Sequence, residues 1–112
     1  MPYTFDSALD DDLITVVDRN DEMGSYAVKV GELETTVFIE IGRFMSSDTT
    51  KFSVSHAIHT PVNAAAPYRT SLPFADYPAY ALARAVSGLT DYYRLAVEKG
   101  HKPSEKWLVR DG

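Results

Sequence analysis

One segment, residues 76–100, constrains the fold more than any other part of the chain. Its sequence is DYPAYALARAVSGLTDYYRLAVEKG. Five large apolar residues recur in it at the 4-3-4-4 spacing that places side chains on one face of an α-helix. They are Leu82, Val86, Leu89, Tyr93 and Val97, with Ala79 and Ala96 beside them. The segment predicts a long helix at about 77–99 whose apolar face covers a sheet.

Both ends of this helix carry recognisable signals. Asp76 is the predicted N-cap, with Pro78 in the first turn, and Gly100 follows the last turn. Gly88 lies in the middle, where glycine costs about 1 kcal/mol relative to alanine. Gly88 and Tyr92 lie beside the apolar stripe. We therefore expect any second contact of the helix, with a ligand or another subunit, at these two residues.

The rest of the chain is dominated by short apolar runs rich in β-branched residues and separated by polar turns, which is typical of strands. We predict strands at about 13–17, 26–30, 33–44 and 51–60. The predicted fold class is α+β: a four-stranded antiparallel sheet, or meander, covered on one face by one long C-terminal helix. We expect residues 1–112 to form a single domain.

Alternation assigns faces to the two longer strands. Val37, Ile39 and Ile41 share one face of the third strand, and Leu33 and Thr35 extend it. In the fourth strand Phe52, Val54, His56 and Ile58 point inward. Residues 61–75 contain three prolines and predict an irregular loop. The tail, residues 101–112, contains Trp107 and is expected to dock on its own domain or on a neighbour.

Charge is uneven along the chain. The net charge is −5, made up of −7 over residues 1–56 and +2 over the rest. This acidity argues against nucleic acid as the main partner, because phosphates require a concentration of Lys and Arg. The chain lacks cysteine, a basic leader followed by an apolar run, and a long apolar stretch. We therefore expect a cytoplasmic protein that does not enter a membrane.

Motifs for cofactors, metals and nucleophilic catalysis are absent from the sequence. It contains no G-x-G-x-x-G, no phosphate-binding lysine loop and no G-x-S-x-G. His56 and His59 are three apart on a predicted strand, which places them on opposite faces and argues against a shared metal ion. We expect no cofactor and no metal, and the missing motifs favour a non-enzymatic protein but do not exclude an enzyme.

One alternative is a small-ligand or enzymatic pocket between helix and sheet. His56 falls on the inward face, and the hydroxyl of Tyr93 in the buried stripe needs a polar partner that His56 would provide. Tyr92 is adjacent. We predict these three residues as ligand-binding candidates. A buried structural histidine is the favoured interpretation, because no orienting carboxylate accompanies His56.

Aromatic residues outside the core provide a further signal. Phe38 and Phe44 lie on the strand face opposite the aliphatic one, Tyr68 lies in the proline-rich loop, and Trp107 lies in the tail. We predict these four residues as interface candidates, and a homodimer that covers the second sheet face is the favoured interpretation. The alternative is single-stranded nucleic-acid binding by exposed aromatics, with Arg43 and Lys51 nearby.

The sequence thus favours a small acidic, non-enzymatic interaction or regulatory domain. An inhibitor or immunity-type protein that masks a basic surface has this character. The predicted partners are another protein and, through dimerisation, a second copy of the chain.

Overall fold

The computed structural model describes residues 3–43, 50–63 and 74–110 of the chain. In chain order its elements are α1 (Phe5–Leu9), β1 (Ile14–Asn20), β2 (Ser25–Val30), β3 (Val37–Arg43), β4 (Thr50–Val54), β5 (His56–Ile58), β6 (Phe74–Ala75), α2 (Pro78–Glu98) and β7 (Leu108–Arg110). Short 3-10 turns lie at Pro61–Asn63 and Glu105–Trp107. Residues 64–73 of the predicted proline-rich loop lie outside the described residues.

Five strands form one antiparallel sheet in the order β1-β2-β3-β4-β6. The predicted α+β class and four-stranded meander are therefore confirmed, and β6 adds a short fifth strand at one edge. Tyr26 pairs with Ile39 and Val28 with Val37, and all four side chains are buried. The sheet core thus follows from the alternation of apolar residues.

The strand β1 forms the opposite edge of the sheet. Its register with β2 shifts between Val16 and Asp18, which leaves Val17 as an extra residue in a bulge. The sequence predicts that this strand ends at Val17, but it continues to Asn20 because the bulge absorbs the extra residue.

One face of the sheet is covered by α2. Four of the five predicted stripe residues are buried, namely Leu82, Val86, Leu89 and Tyr93, as are Ala79 and Ala96. Each of the large side chains contributes roughly 1.5–3 kcal/mol on burial. The assignment of Val97 to the stripe is wrong, since its side chain is exposed. Val97 lies eight residues after Leu89, and this spacing rotates its side chain about 80° around the helix axis from the direction of Leu89. Ala96 therefore takes the core position.

The helix ends differ in how well they match the prediction. Tyr77, not Asp76, is the N-cap, and no side chain caps the first turn. Pro78 is the first helical residue, and the residue before a proline adopts extended backbone, as Tyr77 does. At the other end, Gly100 has φ +91°. Its N–H donates to Val97, and the N–H of His101 donates to Ala96, which is a Schellman motif and confirms the predicted stop.

Two predicted strands are shorter than expected. The third begins at Val37 instead of Leu33. The fourth breaks at Ser55, whose Oγ accepts a hydrogen bond from the Phe38 N–H at 2.9 Å. Beyond this residue β5 leaves the main sheet and pairs with β7. The hydrogen bond between the Ser55 side chain and the backbone of β3 therefore ends β4, although the alternation of apolar residues in the sequence continues to Ile58.

The tail docks on its own chain. Trp107 is 5% exposed, and its ring meets Tyr93 edge-on with centroids 5.4 Å apart. The Glu105 carboxylate accepts hydrogen bonds from the N–H groups of Glu34 and Thr35 at 2.7 and 3.1 Å. These contacts hold the connection between β2 and β3 against the C-terminal segment.

The helix α1, which precedes the first predicted strand, is not predicted from the sequence. The structure shows a capping box at its start, in which Thr4 and Ser7 bond each other's backbone N–H. Ala8 and Leu9 are buried in the core. The helix is only five residues long, too short for apolar periodicity to reveal.

Candidate interaction surface

The predicted ligand residue His56 is buried in β5. Its Nδ1 lies 2.7 Å from Ser55 Oγ, within hydrogen-bonding distance. Burial lowers the pKa of His56, and the positive charge of Arg110 lowers it further. At neutral pH the ring is therefore uncharged and acts as a packed polar residue of the second, two-stranded sheet.

The two predicted tyrosines do not join His56. The Tyr93 hydroxyl accepts a hydrogen bond from the Glu32 N–H at 3.0 Å, so its polar partner is a backbone group and the expected pairing with His56 is wrong. Tyr92 is half-buried on the flank of α2, where it lines a shallow depression with Ser87, Asp91 and Leu95. The hydrogen bonds of His56 and Tyr93 thus go to different partners, Ser55 and Glu32.

The interface candidates also fall in different places. Phe38 is 55% exposed on the face of β3 that points away from α2, opposite Ala27 of β2. Trp107 lies inside the protein's own core. Phe44 and Tyr68 lie outside the described residues. Phe38 is therefore the one candidate among the four that the structure places on a surface.

The clearest surface feature is a concentration of carboxylates, which we call the acidic edge. It comprises α1, the turn after it, β1 and the β1–β2 turn, residues 5–24. Its carboxylates are Asp6, Asp10, Asp11, Asp12, Asp18, Asp21 and Glu22, and all except the half-buried Asp11 are exposed. Two arginines, Arg19 and Arg94, pair with them. Together these seven carboxylates and two arginines carry a net charge of −5. The other nine acids and nine bases of the chain cancel, so this group accounts for the net charge of the whole chain.

Arg19 joins α1 to the β1–β2 turn. Its Nε and Nη2 each donate to the Asp21 carboxylate at 2.9 Å, and Nη2 also lies 2.8 Å from Asp6 Oδ1. The Tyr26 hydroxyl donates to Asp21 at 2.9 Å. The hydrogen bonds from Arg19 hold the pKa of Asp21 below its usual range, whereas burial and the bond to Asp21 raise the pKa of Tyr26. Asp21 is therefore ionised at neutral pH and fixed in position.

Arg94 makes the corresponding link from α2. Its Nη2 donates to Asp11 Oδ1 at 2.9 Å, and the same oxygen accepts from the Leu13 N–H. These ion pairs thus fix the position of the carboxylates relative to both the sheet and the long helix.

Exposed apolar side chains accompany the charges. Val16 and Val17 are exposed on β1, and Met23 in the turn is 71% exposed. A shallow depression of about 540 Å³ runs between α1 and β1, with Leu9 and Val16 in its lining beside Asp6 and Asp10. A second depression, of about 550 Å³, lies between the β1–β2 turn and the start of α2.

This combination of carboxylates and exposed apolar groups is chemically complementary to lysine and arginine side chains. Lys and Arg side chains have apolar stems and charged ends, so a stem can contact Leu9 or Val16 while its charge reaches Asp6 or Asp10. Because β1 is an edge strand, one side of its backbone also faces away from β2.

Sequence reasoning found the acidic first half but missed the arginines that organise it. Arg19 stands between Asp18 and Asp21, and this local pattern was a usable signal. The Arg94–Asp11 pair joins residues 83 positions apart, and no local pattern reveals it.

Comparison of the chain with protein-family models, curated proteins and solved structures finds no match. Of the described helices, none combines the length and the apolar composition that a bilayer span requires. Within residues 3–43, 50–63 and 74–110, no three His, Cys, Asp or Glu side chains are grouped so that they could hold a metal ion.

Proposed function

We propose that this protein is a non-enzymatic interaction domain that binds a basic partner protein through the acidic edge. The observation that carries this proposal is that one edge of the fold, together with the Arg94 that pairs with it, accounts for the entire net charge of −5 and also displays Val16, Val17 and Met23. Charge concentrated on one patch accelerates and orients the approach of an oppositely charged partner, and exposed apolar groups supply contact area.

The charge pattern selects among partners. Two copies of the acidic edge repel each other, and nucleic-acid phosphates carry the same sign of charge. A partner with clustered Lys and Arg is attracted instead. An inhibitor or immunity-type protein that masks the basic surface of an enzyme acts in this way.

The edge strand suggests how the partner binds. An extended basic segment can lie along β1 and add backbone hydrogen bonds to the exposed edge. Its alternate side chains would then enter the depression between α1 and β1, where Asp6 and Asp10 lie beside Leu9 and Val16. The bulge at Val17 limits the pairing to a short stretch.

A peptide titration tests this proposal. The probe is a peptide of alternating lysine and valine, added to isotopically labelled protein and followed by NMR chemical shifts; a glutamate–valine peptide serves as the control. We expect shifts concentrated in residues 6–22 with the basic peptide alone, and weaker binding as NaCl rises from about 50 to 300 mM. Shifts centred on Phe38, or equal shifts with both peptides, would contradict the proposal.

Matched variants sharpen the result. The double variant Asp10→Lys/Glu22→Lys reverses two exposed charges of the acidic edge, and we expect it to weaken peptide binding about tenfold. Glu98→Lys makes the same kind of change at an exposed position on the last turn of α2 and should leave the affinity within about twofold. Equal losses per reversed charge in the two variants would indicate attraction by net charge without a defined site.

A further inference from the structure

The depression between the β1–β2 turn and the start of α2 combines an apolar lining with charge on one side. Its volume is about 550 Å³. The carboxylates of Asp21 and Glu22 line it on the side of the turn. Its apolar lining includes Phe5, Ile41, Pro78 and Ala79. A concave surface with apolar walls and a few polar groups in fixed places is typical of sites for small molecules.

Ile41 gives this depression an apolar floor. It belongs to the inward-facing row of β3, in which Val37 and Ile39 are fully buried. Ile41 is only half-buried and lines the depression. The apolar face of the sheet therefore extends beyond the part that α2 covers, and an apolar group placed in the depression continues the packing of the core.

The two carboxylates differ in what they already bind. Asp21 accepts hydrogen bonds from the Arg19 guanidinium and the Tyr26 hydroxyl. Glu22 is exposed, and among the residues that the structure describes none forms a hydrogen bond or an ion pair with its carboxylate. Glu22 is therefore the carboxylate that can pair with a cation in the depression.

The walls of the depression are held in place by contacts within the chain. The Gly24 carbonyl accepts a hydrogen bond from the Ile41 N–H at 2.7 Å, which fixes the turn against the floor. The Tyr77 hydroxyl accepts one from the Tyr3 N–H at 2.6 Å, and Phe5 packs against the core. A site that is already ordered loses little conformational entropy when it binds a ligand.

We propose that this depression binds an organic cation, a protonated amine carried on an apolar group about the size of one aromatic ring. The ammonium group lies at the Glu22 carboxylate, and the apolar group lies over Ile41. The opposite wall is the first turn of α2, at Pro78 and Ala79, where the helix N-terminus carries partial positive charge. That wall repels the ammonium group, so the ligand has one preferred orientation.

Two sources carry this chemistry. One is a free amine, and the other is a lysine beside an apolar residue in a basic partner protein. The depression borders the acidic edge but is separate from the depression between α1 and β1. The proposal therefore does not depend on the binding of a basic partner, and it is tested with small probes.

An NMR titration of isotopically labelled protein at about 150 mM NaCl tests the site. The probe is phenethylamine, phenethyl alcohol is the neutral control of nearly the same shape, and ammonium chloride supplies a cation without an apolar group. We expect phenethylamine to give saturable shifts below about 20 mM at the N–H groups of Glu22, Gly24, Ile41 and Ala79. Phenethyl alcohol should bind in the same place about three- to fivefold more weakly, the contribution of one exposed ion pair. Ammonium chloride should give no saturable shift.

Two matched variants separate a local charge from general acidity. Glu22→Gln keeps the shape of the side chain and removes its charge, so the advantage of phenethylamine over phenethyl alcohol should disappear. Glu98→Gln removes one charge from the last turn of α2 and should leave the affinity for both probes within about 1.5-fold. Both positions are exposed, and circular dichroism establishes that the variants are folded.

Competition with the lysine–valine peptide distinguishes the two sources. Displacement of phenethylamine by the peptide supports the site with a partner's lysine as the cation, and simultaneous binding supports it with a free amine. Equal wild-type affinities for phenethylamine and phenethyl alcohol, shifts centred outside the depression, or equal losses in Glu22→Gln and Glu98→Gln would overturn the proposal. A failure of this kind leaves the peptide titration of the acidic edge unaffected, because that titration uses a different ligand.

Discussion

At the scale of single residues, Gly31 and Tyr93 show how α2 is fixed to the sheet. Gly31 has φ +54°, and a Cβ at this position would overlap the Tyr93 phenol group. The next N–H along the chain, that of Glu32, donates to the Tyr93 hydroxyl. The glycine therefore permits the close approach through which the buried tyrosine finds its hydrogen-bond partner.

We predict that Gly31→Ala lowers the free energy of unfolding by about 2–5 kcal/mol, because left-handed backbone strain adds to the clash with Tyr93. Gly100→Ala is the matched control. It has φ +91° with open space around the Cβ, so it should lose only the strain, about 1–2 kcal/mol. Urea denaturation measures both. Equal losses would show that the Tyr93 contact does not restrict this position.

His56 gives a prediction about pH. Burial and Arg110 lower its pKa in the folded protein, whereas an unfolded histidine titrates near 6.5. Below about pH 6.5 the unfolded chain therefore binds more protons, and the free energy of unfolding falls as the pH falls. We expect His56→Gln to flatten this decline below about pH 6.5. The exposed His101→Gln should preserve it, and an unchanged slope in His56→Gln would assign the decline to other groups.

At the scale of elements, the break at Ser55 divides one apolar run between two sheets. β4 stays with β3, while β5 pairs with β7, with Ile58 opposite Leu108. The His59 N–H also donates to the Trp107 carbonyl at 2.7 Å. The C-terminal tail is thus part of the core packing and not an appendage.

We predict that Trp107→Ala lowers the free energy of unfolding by about 3–5 kcal/mol, the usual cost of removing a buried tryptophan. The exposed neighbour Lys106→Ala should change it by less than about 0.5 kcal/mol. Hydrogen exchange at the His59 N–H should accelerate in Trp107→Ala, because the tail then opens locally. A loss below about 1 kcal/mol would mean that the tail docks without contributing to the core.

At the scale of the whole molecule, charge and packing are divided between separate surfaces. The acidic edge, together with the Arg94 that pairs with it, accounts for the net charge of −5, and the apolar stripe of α2 covers the sheet.

The sequence predicted what depends on local periodicity. The meander, the buried stripe from Leu82 to Tyr93, the stop at Gly100 and the docking of Trp107 all follow from spacing and residue type. The sequence did not predict features that depend on residues far apart in the chain. Ser55 ends β4 through the backbone of Phe38, Tyr93 bonds Glu32, and Arg94 bonds Asp11, and none of these pairs has a local signature. The carboxylates of the acidic edge are evident from the sequence, but only the folded structure shows that they lie on one surface.

The pairing of β5 with β7 has a consequence for synthesis of the chain on the ribosome. The four strands β1 to β4 pair with their neighbours in sequence and can associate as they emerge. Leu108, the partner of Ile58, follows it by 50 positions in the chain. At about 5–20 residues per second, β5 waits roughly 3–10 s for that partner to be translated. During this interval β5 lacks the strand that completes its two-stranded sheet.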